Sequence, residues 1–403
     1  MNFAPQQRLG LPEFVALMGM MFATVAFSID AMLPAMSEIA RELTPDAPNR
    51  AQLIVTSFVL GMGLGTLFTG PLSDTFGRKP VILGGAVIYV IGAGLAWAAD
   101  SLELVLAARV LQGLGAAGPR IAALAIVRDL YEGRQMAKVM SFAMMVFTLV
   151  PAIAPLAGAG IIWLTGWRGI FVAFVVFALV TNCWMGLRQP ETLARANRRR
   201  FSASSIGAGI VEVLSIRRVS LAIAALSFVF GMLFTTISTT QQVFDQSFGK
   251  AAEFPYWFGA IALISGAGSF LNARVVVRLG MRRVIVLTLT VELGLAATMS
   301  LLSYTQILPF PVFFSAYLLW LLSIFFVAGL TIGNLNALGM EPLGHLAGLG
   351  ASIIGSLATI AAVLIAVPIG FAFDGTPLPL AIGVMVCSVC ALGLTRLIED
   401  LPG

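Results

Sequence analysis

Long apolar runs dominate this chain, separated by short clusters of Arg, Lys, Gly and Pro. A helix crossing a bilayer needs about 20 apolar residues. Read on that scale, the runs predict twelve helices. The first six fall at roughly 12–35, 50–70, 81–99, 103–127, 138–163 and 169–187. The second six fall at roughly 219–241, 256–277, 284–302, 312–338, 350–372 and 378–397. The expected fold is an all-α membrane protein with twelve transmembrane helices in two pseudo-symmetric six-helix halves, 1–187 and 219–403, joined by a basic linker, 188–218.

Composition removes the soluble alternatives. Apolar residues make up 59% of the 403 positions and charged residues 11%, against about 25% charge in a soluble domain. The three cysteines, Cys183, Cys387 and Cys390, lie in apolar runs without the spacing of a disulfide framework or a zinc site. The single histidine, His345, excludes a multi-His metal site and would have to serve any Ser/His/Asp hydrolase alone. No nucleophile motif accompanies it, so a membrane enzyme is not expected and neither is a bound cofactor. The run from Leu11 to Pro34 is too long for a cleaved signal and reads as a retained first span.

Charge gives an orientation. Seventeen Lys and Arg fall in one set of connections and four (Arg41, Arg50, Arg168, Lys250) in the other; Arg109, Arg120 and Arg274 lie within or at the edge of spans. The positive-inside rule then places both termini and the linker in the cytoplasm. The linker holds seven Arg against Glu191 and Glu212, an excess equal to the whole chain's net charge of +5. Its basic stretch, including Arg198, Arg199 and Arg200, therefore marks the inner leaflet rather than a nucleic-acid site. A weak repeat supports the division into halves. Asp74-Thr75-Phe76-Gly77-Arg78-Lys79 follows span 2, Val277-Arg278-Leu279-Gly280-Met281-Arg282 follows span 8, and the glycines are 203 residues apart. Such repeats are a transporter plan.

Ionisable residues at membrane depth are costly and mark function. Asp30 in span 1 lies roughly 7–8 Å below the outer end, and Arg109 in span 4 roughly 9 Å, at 1.5 Å per residue. Opposite charges at similar depth suggest a pair around one cavity. Burial makes a carboxylate hold its proton and a nearby guanidinium makes it release it, which is what proton coupling requires. The plainer readings are a carboxylate that caps a helix before Pro34 and an arginine that ties helices through backbone carbonyls. Glu292 in span 9 either faces the cavity or hydrogen-bonds a neighbouring helix. Gly61 and Gly65 have the spacing that lets helices approach closely, and Pro151 and Pro155 should bend span 5. Trp97, Trp163, Trp167 and Trp257 are expected at the outer interface. Met20, Met21, Phe22, Phe27, Met144, Met145 and Phe147 would give an apolar lining adaptable to varied ligands.

Gly70-Pro-Leu-Ser-Asp74-Thr-Phe-Gly77-Arg78-Lys79 resembles the G-x-x-x-D-x-x-G-R-K signature of the major facilitator superfamily, with Thr75 where that family has a basic residue. Gly77 would make the tight turn. Asp74 would accept hydrogen bonds from a helix N-terminus and from basic groups. Arg78 and Lys79 would hold the inner leaflet and acidic partners, the whole shaping a cytoplasmic gate. Arg109-Val-Leu-Gln112-Gly113 resembles the R-x-x-Q-G motif of the superfamily's drug:proton antiporters. Asp30-Ala-Met-Leu-Pro34-Ala35, Arg128-Asp129, Trp167-Arg168-Gly-Ile-Phe171, Pro190-Glu191-Thr192-Leu193 and Ala347-Gly348-Leu-Gly350-Ala351-Ser352 are similar to segments of the Bcr/CflA drug-resistance group. Pro151-Ala-Ile-Ala-Pro155-Leu-Ala-Gly158 resembles its proline- and glycine-rich span 5 and reads as a hinge.

The resemblance implies a secondary active transporter of the bacterial inner membrane, exporting amphipathic small molecules in exchange for protons by alternating access. Asp30, Arg109 and Glu292 are the candidate coupling and substrate residues. The proton gradient is the energy source, the bilayer and a small molecule are the partners, and a monomer suffices. The alternative is a proton-coupled carrier of one specific metabolite, for which Asn182, Gln241, Gln242, Asn334 and Asn336 supply polar groups.

Overall fold

A computed structural model describes residues 9–198 and 200–398. Arg8 and Arg199, counted above for orientation, lie outside the described residues, as do the side chains of Met144, Phe147 and His345. Every regular element among the described residues is helical.

The helices are α1 (Leu11–Asp30), α2 (Met36–Leu43), α3 (Leu53–Phe76), α4 (Arg78–Ala98), α5 (Leu102–Leu130), α6 (Gly133–Thr165) and α7 (Gly169–Arg188). They continue with α8 (Ala203–Ser215), α9 (Arg217–Gln242), α10 (Phe254–Leu279), α11 (Met281–Thr305), α12 (Phe310–Met340), α13 (Ala347–Phe371) and α14 (Leu378–Arg396). Eleven segments are long and apolar enough to cross a membrane among the described residues. The predicted fifth span is α6, whose apolar stretch there is the shorter Leu149–Thr165. The helix assignment runs unbroken through Pro151 and Pro155.

Two predicted elements differ in detail. Span 1 does not continue to residue 35 as one helix. Pro34 has no N–H to offer the Asp30 carbonyl four residues earlier, and its ring crowds that carbonyl. The α-helix accordingly ends at Asp30, a 3₁₀ turn covers Leu33–Ala35, and α2 follows. The linker, read as a loop from its charge, contains α8. Its buried positions Ile206, Gly209 and Val213 recur at helical spacing. Gly209 lies close against Leu349 and Ile353 of α13.

The chain divides into two compact units. One comprises the residues up to Met32 and Ser57–Gly207; the other comprises Leu33–Thr56 and the residues from Ala208 onward. Apolar burial does not drive helix association in lipid; close packing and hydrogen bonds do. The first unit shows how. A Cβ on Gly61 would stand 2.0 Å from the Val110 carbonyl oxygen, and one on Gly113 would stand 2.1 Å from that of Phe58. Backbone therefore touches backbone along α3 and α5. Gly85 and Gly115 do the same between α4 and α5. Phe14, Leu17, Met18, Met21 and Phe22 of α1 pack with Ile82 of α4 and with Ile126 and Val127 of α5.

The sequence repeat has a backbone counterpart. Gly77 between α3 and α4 has φ 106° and ψ 161°, and Gly280 between α10 and α11 has φ 79° and ψ 155°. Each turns two long helices through one residue, in a region of φ that a side chain disfavours.

Candidate functional site

The first cluster forms where α1 stops. A helix end leaves its last carbonyls without partners. Here Arg109 of α5 supplies one: its guanidinium donates to the Ser28 carbonyl at 2.9 Å and to Gln112 Oε1 at 2.6 Å. The cation is buried over the Phe58 ring, 4.4 Å from the centroid, with Phe174 at 5.8 Å. The Ser28 hydroxyl donates to or accepts from Tyr89 at 2.5 Å. Gly158 of α6 lies so close to the break that a Cβ would stand 2.1 Å from the Ala31 carbonyl oxygen. The span 4 pair Gln112 and Gly113 thus has distinct duties: Gln112 holds the guanidinium, and Gly113 lets α5 reach α3.

Asp30 is the last residue of α1 and only 4% exposed. No hydrogen bond or ion pair joins it to Arg109, so of the two forms of pairing expected from their depths, direct or through water, the direct one does not form. The reason is geometric. Arg109 binds the carbonyl two residues earlier, and positions two apart face different sides of a helix. The placement is still unusual. A carboxylate at a helix C-terminus meets the negative end of the dipole, and this one has no ion-pair partner among the described residues. The nearby guanidinium offsets the helix end without touching the carboxyl. Arg109 therefore also performs the plainer role, tying helices through a backbone carbonyl.

The second cluster surrounds the α3–α4 turn. Arg78 is buried and donates to Asp74 Oδ1 at 2.5 Å, to Ser73 Oγ at 2.7 Å and to Asp129 Oδ2 at 3.1 Å. Asp74 was expected to cap a helix. It lies in the last turn of α3, where Arg78 four residues on takes it. Glu191 does the capping: Oε1 and Oε2 accept from the backbone N–H groups of Arg78 and Lys79, both at 3.0 Å. Thr192 donates to Asp129 at 2.8 Å. Lys79 contributes its backbone here, and Gly70 lies within α3, partly buried.

Glu292 lies in the second unit, on α11. Trp320 Nε1 of α12 donates to its Oε1 at 3.1 Å, and Ser323 Oγ to its Oε2 at 2.8 Å. The neighbouring-helix reading is the one the geometry shows. The same unit has a cavity of about 340 Å³ whose lining combines Met36, Pro45 and Pro48 with the polar Ser37, Gln52 and Gln242. Ser37 donates to Asp245, and a chain of amides runs from Gln52 to Gln242 at 2.6 Å and from Gln242 to Asn49 at 2.7 Å. Asn49 closes the chain on the carbonyls of Phe371, the last residue of α13, and of Phe373 just beyond it.

Three smaller expectations change. Met21 and Phe22 are packed into the first unit's core, not a ligand lining. Phe27 packs on Phe174 and Phe177 and does line an apolar cavity of about 580 Å³, while Met145 is exposed. Trp167 is not an interface residue: it is buried and takes the Arg168 guanidinium on its face at 4.2 Å.

A sequence model of the Major Facilitator Superfamily matches residues 16–396, nearly the whole chain. The chain belongs to the Major Facilitator Superfamily. It is similar to a bicyclomycin resistance protein homolog of Haemophilus influenzae, 31% identical over 280 residues, covering 69% of this chain and 70% of that one. It is also similar to multidrug resistance protein D of Escherichia coli, 32% identical over 160 residues, 40% of each chain. A solved D-xylose-proton symporter superposes with a TM-score of 0.76 at 14% identity, covering 96% of this chain and 98% of that one. That likeness shows the fold. The protein is thus a multi-pass membrane protein with the all-α facilitator fold.

Sequence reading missed Ser28, Tyr89, Gln52 and Asn49, and it named Gln242 only as a polar group for a metabolite carrier. Ser, Tyr and Gln are unremarkable inside a span until a partner is seen. Glu191 and Asp129 lie within the family-like segments, but nothing in their spacing tells that they meet at the α3–α4 turn.

Proposed function

We propose that this protein exports amphipathic small molecules across the bacterial inner membrane in exchange for protons. Both termini face the cytoplasm in this reading, following the bias of Lys and Arg. The observation that carries it is the Asp30 carboxyl, buried at the broken end of α1 beside the Arg109–Ser28–Tyr89 cluster. In that place the anion lacks an ion-pair partner among the described residues and faces an unfavourable helix end. The carboxyl is therefore poised to exchange a proton when a substrate alters its surroundings.

Arg109 is the positioning group. It holds the end of α1 and supplies the positive field that a deprotonated Asp30 needs. The turn of Gly77, with Arg78, Asp74, Asp129 and Glu191, joins the ends of α3, α4 and α5 and would move as one body during alternating access. The energy source is the proton gradient, with no bound cofactor, and a monomer suffices. The drug-resistance names of the relatives support amphipathic substrates over a single sugar-like metabolite.

The test is a susceptibility and efflux panel in a pump-deficient bacterium, covering neutral, cationic and dye compounds. Wild type and Asp30→Asn are compared at matched membrane levels, with and without a protonophore. Resistance that is protonophore-sensitive and lost in Asp30→Asn is expected. Protein in the membrane that confers no resistance to any compound would instead favour a carrier of one metabolite.

A further inference from the structure

Arg120 is the second arginine inside α5, and proton coupling at Asp30 does not use it. It lies ten residues before the end of the helix, about 15 Å at 1.5 Å per residue. An arginine at that depth can snorkel, bending its stem to bring the charge to the nearer interface. Here it does the opposite. Its Nη1 donates to Met62 Sδ of α3 at 3.6 Å. Met62 is level with Gly113, whose Cβ would stand 2.8 Å from the Met62 nitrogen. Gly113 is seven residues nearer the start of α5 than Arg120, about 10 Å. The guanidinium therefore reaches away from the charged α3–α4 turn and toward the middle of the 29-residue helix. Helical side chains lean that way, toward the N-terminus.

Few groups meet it there. A guanidinium has five N–H donors, and a thioether is a weak acceptor. No other hydrogen bond and no ion pair reaches Arg120 among the described residues. The acidic side chains of the first unit lie at its two ends. Asp74, Asp129 and Glu191 are held at the Gly77 turn, and Glu13 pairs with Arg188. Asp100, Glu103 and Glu132 lie at or next to helix starts, and Asp30 lies beyond Arg109 at the broken end of α1. Arg109 shares the face of α5 that carries Arg120, 11 residues and three turns away, so the next charge along that face is another cation.

Arg120 is nevertheless partly exposed, and so is Leu124, one turn further along the same face. A cation at this depth is costly, and such residues mark substrate or ion paths. The cost falls when an anion takes the idle N–H groups. The place thus offers a planar cation, reachable and without a counter-ion, beside the apolar side chains of Met62 and Leu124.

We infer that Arg120 is the counter-ion for an anionic group on the transported molecule, which brings lipophilic carboxylates into the substrate range. The guanidinium fork takes the two carboxylate oxygens, and the apolar part of the ligand lies along Leu124. A neutral ester of the same shape leaves the charge unmatched, so the site prefers the acid. The inference deepens the export reading by naming a substrate class, and it rests on that reading only for transport, not for binding.

The test is equilibrium binding of radiolabelled naproxen, a lipophilic carboxylate, and of its methyl ester to the whole purified protein in nanodiscs of zwitterionic lipid. Hydrogen bonds between charged groups are the strong ones, so Arg120→Gln should weaken naproxen binding about tenfold or more and leave the ester within about twofold. The amide can still donate to Met62, so the packing of α3 on α5 is kept. Arg120→Lys keeps the charge without the fork and should retain a preference for the acid over the ester. Equal binding of acid and ester by the wild type would overturn the inference. So would an equal loss of both in Arg120→Gln, which would mark a structural residue. Phosphatidylglycerol retained by the wild type and lost by Arg120→Gln in native mass spectrometry would also overturn it, by placing a lipid phosphate on the guanidinium. Export failing in cells while naproxen binding depends on Arg120 would dismiss the export reading and leave the site standing.

Discussion

Gly113→Ala adds one methyl group where α5 lies on α3. The new Cβ would stand 2.1 Å from the Phe58 carbonyl oxygen and 2.8 Å from the Met62 nitrogen, against ordinary contact from 3.4 Å. The obstacle is helix backbone, which cannot rotate away as a side chain can. α3 must then move by about 1.3 Å, the shortfall between those distances. Overpacking of this kind costs about 1–3 kcal/mol, and a backbone obstacle puts it at the upper end. Alanine returns about 1 kcal/mol through helix propensity, leaving a net loss of about 2 kcal/mol. Since about 1 kcal/mol shifts Tm by roughly 2–4 °C in a domain of 150–250 residues, the expected drop is about 4–8 °C. Phe58 also carries the Arg109 guanidinium on its ring, so transport should fall with stability. Gly94→Ala is the matched control, since a Cβ there meets nothing within 4 Å. Thermal unfolding in detergent, followed by size-exclusion of the surviving fraction, measures both. Equal Tm for Gly113→Ala and Gly94→Ala would refute the backbone-contact argument.

Other expectations follow from the two polar networks. Arg78→Ala leaves Asp74 and Asp129 without their shared cation and should cost about 1–3 kcal/mol, since both carboxylates keep some contact with water, whereas Lys79→Ala, which keeps the capped backbone N–H, should cost within about 0.5 kcal/mol; the same unfolding assay separates them. Gln242→Ala strands the Gln52 amide N–H and the Asn49 amide oxygen, for about 1–3 kcal/mol. A restored Tm in the double variant Gln52→Leu/Gln242→Leu would support that reasoning, and an unchanged Tm in Gln242→Ala would refute it.

Eleven of the twelve expected spans were legible at full length because membrane helices are written in composition over about 20 residues, and a single stray polar residue does not erase the signal. The Gly77 turn and the close approach at Gly61, Gly65 and Gly113 were legible for a related reason. Glycine has few other uses inside a span than nearness or positive φ. α8 was not legible, because a short amphipathic helix next to an arginine-rich stretch looks like charge first. The site was half legible. Asp30, Arg109 and Glu292 announce themselves by cost alone, but cost does not name a partner. Arg109 turned to the Ser28 carbonyl because Pro34 had ended the helix nearby, a three-residue coincidence that only the folded chain reveals. Glu292 resolved to Trp320 and Ser323, 28 and 31 residues away in sequence, for which no spacing rule exists.

The central claim is that Asp30 couples substrate movement to protons. Its most direct test is purified protein in proteoliposomes containing a pH-sensitive dye, with a susceptibility-panel substrate added outside. Wild type should move protons when substrate is added, and an imposed pH gradient should drive substrate accumulation. Asp30→Asn should bind substrate and equilibrate it down its own gradient, yet move no protons. Proton movement of wild-type size in Asp30→Asn would contradict the account and place the coupling group elsewhere.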